Sequence, residues 1–139
     1  NLKRVLQSIF EATYSFDLEA IKKEKIGQGI KALEAFEVFS ADYNEDARYQ
    51  LLYCKGLYLK GLRKYDEAIA LFENLNQKGE FSWNYYQMAI MKNLQEKTEE
   101  ALELLKITFR MEPALKDDAK EFPELQNLWT NAGFLEIVK

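Results

Sequence analysis

The sequence predicts an all-α fold of successive antiparallel helix pairs, and three observations lead there. Two stretches, "LLYCKGLYLKGLRKYDEAIALFENL" and "NYYQMAIMKNLQEKTEEALELLKIT", match at a constant offset. Leu52 pairs with Tyr85, Gly56 with Ala89, Glu67 with Glu100, Ala68 with Ala101 and Phe72 with Leu105, each pair 33 positions apart. A period of this length with two helices per copy is the mark of stacked helical repeats. Apolar residues in each stretch recur at helical spacing, and the first copy breaks once, around Gly61 to Lys64. Two Pro and six Gly in 139 residues leave little punctuation for a many-stranded fold.

The chain opens on "NLKRVLQSIFEA", an amphipathic stretch with the look of a helix rather than a signal peptide. A first helix is expected from about Tyr14 to Lys25, with Gly27 and Gly29 making the turn into a second. In that second helix, "GIKALEAFEVF", Ala32, Phe36 and Phe39 repeat the spacing of Ala68, Phe72 and Leu75, 36 positions earlier. Asn44, followed by Glu45 and Asp46, is a candidate N-cap for the next helix. In the middle copy Gly56 and Ala68 are small residues on facing helices, where large side chains would force the pair apart. Phe72, one turn beyond Ala68, fills the space between them. Ser82 before "WNYY", and Thr98 before Glu99 and Glu100, are the candidate N-caps of the last copy. After Pro113 the residue pattern loses its register. Pro123 is placed at a first helical turn, with Leu125, Leu128, Trp129 and Phe134 apolar behind it. A stacked array exposes the apolar face of its last unit, so this tail is expected to cover it.

These residues resemble the tetratricopeptide repeat family, in its bacterial form with a closing C-terminal segment. A small residue in the first helix, a Tyr-x-x-Ala opening to the second, a bulky residue one turn on and a closing Pro are matched by Gly56, Tyr65, Ala68 and Phe72. Ala89, Ala101, Leu105 and Pro113 match them again in the next copy. Lys55, Glu80 and Thr98 depart from the pattern, where Leu, Pro and an aromatic are usual. The resemblance implies a single domain forming a right-handed superhelix, with repeats at about 13–46, 49–81 and 82–115 and a capping segment at 116–139. It also implies that first helices line a concave groove. Tyr53, Leu57 and Lys60 would face that groove, joined by Trp83, Tyr86, Gln87, Ile90 and Asn93. A groove that takes a peptide would keep these residues partly exposed, whereas packing between repeats would bury them. Family members that capture a C-terminal carboxylate line the groove with Lys, Arg and Asn. The corresponding places here hold Asp17, Ile21, Cys54, Trp83 and Gln87, so that specificity is not expected.

The chemistry of the chain points away from catalysis. With no His, neither a Ser-His-Asp nor a Cys-His arrangement can form, nor a His-containing zinc site. Cys54 is the sole cysteine, so no intrachain disulfide exists and the compartment stays open, the cytoplasm being favoured over the periplasm. "DYNEDA" (Asp42 to Ala47) imitates the start of a calcium loop, but Ala47 and Tyr53 stand where its Gly and bidentate Glu belong. "GQG", Gly27 to Gly29, lacks the Lys-Ser/Thr of a phosphate loop. The net charge of -4 is spread along the chain, and "KKEK" is interrupted by Glu24, so nucleic acid is not an expected partner. No apolar run reaches the roughly 18–20 residues of a membrane span. The missing initiator Met is expected of a trimmed or processed chain or an excised domain. The expected function is a non-catalytic, cofactor-free module that binds a protein or peptide partner in the groove. The competing expectation is an accessory or targeting domain of a larger multidomain enzyme.

Overall fold

The computed structural model describes residues 27–31, 34 and 45–139, and every regular element among them is helical. Four long helices follow one another: α1 (Glu45–Gly61), α2 (Tyr65–Lys78), α3 (Ser82–Leu94) and α4 (Thr98–Met111). Three short elements close the chain: α5 (Leu115–Ala119), a 3₁₀ helix (Pro123–Leu128) and α6 (Ala132–Ile137). The chain divides into two compact units, 1–71 and 72–139, with the boundary inside α2. The predicted helix of Tyr14 to Lys25, and Ala32, Phe36, Phe39, Asp42 and Asn44, lie outside the described residues.

The offset of 33 seen in the residues is also the offset of the helices. The end of α1, both ends of α2 and the turn between them recur 33 positions later in α3 and α4, from Gly61 to Leu94, Tyr65 to Thr98 and Lys78 to Met111. The two connections have the same hydrogen bonds. Lys64 N–H donates to the Leu59 carbonyl and Arg63 N–H to that of Lys60, both at 2.9 Å; Lys97 donates to Lys92 and Glu96 to Asn93, also at 2.9 Å. This is a Schellman closure, in which the residue past the helix end turns into the left-handed region and satisfies two carbonyls that the helix leaves open. That residue is Arg63 in one copy and Glu96 in the other, each at φ 63°. Neither is Gly, so each holds a conformation that its Cβ disfavours by about 1–2 kcal/mol. Glu96 is exposed. Glu96→Gly is therefore expected to raise stability by about 0.5–1 kcal/mol, less than the strain relieved because Gly also loses more freedom on folding; a urea midpoint shows it, and an unchanged or lower midpoint would count against the turn.

The helix starts differ slightly from those predicted. The N-cap positions are Phe81 and Lys97, each one residue earlier than Ser82 and Thr98, and neither supplies a side-chain cap. Ser82 is instead the first helical residue, and its hydroxyl donates to the Glu112 carboxylate, tying the start of α3 to the end of α4. Glu99 and Glu100 stand in the first turn of α4 as expected, and Asp66 and Glu67 stand in that of α2, where exposed N–H groups favour negative charge.

In the first unit, Gly27 and Gly29 do not form a turn, because residues 27–31 and 34 are helical. A Cβ on Gly29 would collide with the Tyr58 ring, reaching its Cε1 at 2.8 Å, so this glycine lets a buried tyrosine of α1 lie directly on helical backbone. The need for a small residue was legible; its use in close approach rather than a turn was not.

In the second unit, α3 and α4 pack as a pair around Tyr86, Ala89, Ile90, Leu105 and Phe109. The tail completes the same core with Leu115, Ala119, Leu125, Leu128, Phe134 and Val138. Beyond Pro113 the period is kept only in part: Leu115 lies 33 positions after Ser82, but α6 begins at Ala132, 34 after Thr98, as its N-cap Asn131 lies 34 after Lys97. The two positions held by small residues in both earlier copies, Gly56/Ala89 and Ala68/Ala101, are Phe122 and Phe134 here. Such side chains exclude close helix contact, and where α3 runs unbroken the tail passes from α5 through a short break to the 3₁₀ helix. Pro123 starts that helix as predicted. Trp129 Nε1 donates to the Ala119 carbonyl at 3.0 Å across the break, and Asn131 caps α6 by accepting from Phe134 N–H at 3.1 Å.

Candidate functional site

Of the eight residues assigned to the groove, Leu57, Tyr86, Gln87, Ile90 and Asn93 are buried, while Tyr53, Lys60 and Trp83 keep accessible surface. On α3 the reason is visible. Tyr86 sits between Trp83 and Phe122, ring centroids 5.3 and 5.7 Å away in tilted geometry, and its hydroxyl donates to Asp118 Oδ2 at 2.8 Å. Tilted packing at these separations suits the ring quadrupoles. Asn93 donates to the Glu124 carbonyl at 3.0 Å and to Asn127 Oδ1 at 2.8 Å, and its own Oδ1 accepts from Asn127 at 3.0 Å. Tyr86, Ile90 and Asn93 thus form a surface already docked with a segment, and that segment is the chain's own residues 115–138. The sequence led us to expect the tail over an apolar face of the last unit but did not show which residues it would meet, because those contacts lie 31 to 34 residues away in the chain.

Cys54 is buried and desolvation pushes its thiol up to about 12. A thiol held protonated and out of solvent packs as a small core residue. Among the described residues no group of three or more Cys, Asp or Glu side chains is arranged to hold a metal ion, and no helix is long and apolar enough to cross a membrane.

A second surface of the same unit was not anticipated from the sequence. An open groove of about 380 Å³ runs between α2, α3 and α4, lined by Met88 and Leu104 with Glu73, Lys92, Glu99, Glu100 and Glu103. Lys92 Nζ lies 3.7 Å from Glu100, and Lys106 pairs with Glu103 at 2.9 Å. No ion pair engages Glu73 or Glu99 among the described residues. Its signal was present but scattered: Met88 and Lys92 are one turn apart, as are Glu99 and Glu103, and only the packing of three helices brings these pairs together.

Comparison with protein-family models, curated sequences and solved structures finds no match to this chain.

Proposed function

We propose that this chain is a tetratricopeptide-like helical-repeat module, non-catalytic, that binds a protein or peptide partner. The observation that supports this most is the repeated connection: two helix pairs whose turns share the φ of 63° at Arg63 and Glu96 and the same backbone hydrogen bonds, one period apart. A unit reused at fixed spacing multiplies surface rather than building one enclosed pocket, and extended surface is what such arrays offer to partners. The absence of His from the whole chain removes the commonest general base and nucleophile activator.

In this reading the first-helix face serves both the fold and binding. On α3 it holds the tail, and on α1 the equivalent positions, Tyr53 for Tyr86 and Lys60 for Asn93, retain accessible surface. The partner surface we assign is therefore centred on Tyr53 and Lys60, with Tyr53 as a rigid aromatic anchor. The test uses the intact chain as bait, identifies what it retains, and titrates that protein calorimetrically. Tyr53→Ala is expected to weaken the interaction by on the order of 2 kcal/mol at an unchanged saturating stoichiometry. Retention that survives heat denaturation of the bait, or no saturable binding, would overturn the module reading.

A further inference from the structure

We propose that the groove between α2, α3 and α4 docks a segment of a partner protein that carries a lysine or arginine next to an aliphatic residue. The proposal rests on the reading of the chain as an interaction module and specifies the chemistry of one of its partners. The groove is apolar at its base, where Met88 and Leu104 lie, and acidic at its edge. An aliphatic side chain removes apolar floor from water, and Met88 adapts its unbranched side chain to what lies on it. A cationic side chain suits the same place twice over, laying its methylene stem along the floor while its head reaches carboxylates at the edge. Lys92 and Lys106 already pair with Glu100 and Glu103, which leaves Glu73 and Glu99 as the carboxylates open to an incoming cation.

The internal repeat separates scaffold from site. Glu99 and Glu100 recur as Asp66 and Glu67 in the middle copy, so acids there also serve the helix start. Met88, Lys92 and Glu103 do not recur: Lys55, Leu59 and Ala70 stand at the equivalent positions. The middle copy builds its helix pair without those three side chains, so the pair does not require them. The charge of the groove selects against acidic and uncharged segments, which would leave the edge carboxylates facing like charge or unpaired.

The probe is a fluorescein-labelled amphipathic peptide of alternating Leu and Lys, with a Leu and Glu peptide as its counterpart, titrated into the full chain at low salt. Two charge-matched variants are compared. Glu73→Gln with Glu99→Gln alters the groove edge, and Asp117→Asn with Glu136→Gln removes as much negative charge from exposed sites elsewhere. The Leu and Lys peptide is expected to bind the unaltered chain and the second variant alike, and to bind the first roughly tenfold more weakly, while the Leu and Glu peptide does not bind. Absence of binding to the unaltered chain, equal weakening by both variants, or weakening by neither overturns the groove assignment. Circular dichroism melts of both variants establish that they are folded. A natural partner retained by the chain but indifferent to Glu73→Gln and Glu99→Gln would leave the module reading intact and remove only the groove.

Discussion

A chain ending at Pro113 is expected to lose cooperative folding of its second unit. The deletion removes Leu115, Ala119, Leu125, Leu128, Phe134 and Val138, six of the eleven buried residues in the cluster that α3, α4 and the tail share. It also removes the tail's side of the packing around Tyr86, Ile90 and Phe109, which share that cluster. At about 1.5–3 kcal/mol for each large apolar side chain, the lost burial is on the order of 10 kcal/mol before the ordering entropy of the tail is subtracted. That is comparable with the whole stability of an ordinary domain. The polar contacts go with it: the Asn93 and Asn127 amide pair and the Tyr86 to Asp118 bond leave buried groups without their partners. The expected signs are a broad, low melting transition, loss of near-ultraviolet dichroism from Trp83 and Tyr86, and binding of a hydrophobic dye. A truncated chain that melts with the sharpness and midpoint of the full one would show that the tail lies on a core complete without it.

The tail also shows what a sequence makes legible. Helix type and period were readable because small, bulky and acidic residues recur at fixed places in two copies, and the turns at 61–65 and 94–98 fell where that period required. The third set of boundaries was not, since only its start at Leu115 keeps the offset and α6 begins one residue late. Matching by residue type fails once Phe122 and Phe134 occupy places that held Gly or Ala, yet burial still follows the period, since Phe134 and Val138 are buried where Ala101 and Leu105 are. Caps were misplaced by one residue for a related reason. The Ser82 hydroxyl is taken by Glu112, 30 residues on, and local pattern cannot show a competitor at that distance. The groove set was legible as one face of α3 and illegible as interior, because whether a face is exposed depends on what another segment does with it.

Tyr86→Ala is the single substitution expected to cost most. The side chain is fully buried, so truncation leaves a cavity the size of a ring, which by itself costs about 3–5 kcal/mol for an aromatic. Two tilted ring contacts, to Trp83 and Phe122, vanish with it, and Asp118 loses a donor 2.8 Å away. These terms share atoms and do not sum, so the expected loss is about 4 kcal/mol, read as a fall in the urea midpoint at constant slope. Tyr86→Phe separates the parts: it keeps the ring and removes the hydroxyl, and should cost about 1 kcal/mol. Combining it with Asp118→Ala should cost no more than the larger single change if the two groups act only through their hydrogen bond. Tyr53 tests the same position in the other copy. Half-buried, it carries a smaller cavity term, and Tyr53→Ala should lower the midpoint by less than half as much as Tyr86→Ala. Equal losses would mean that the first-helix face of α1 is interior like that of α3, and the partner surface assigned to Tyr53 would fall. A Tyr86→Ala chain with an unchanged midpoint would mean that the tail does not pack on α3 in solution.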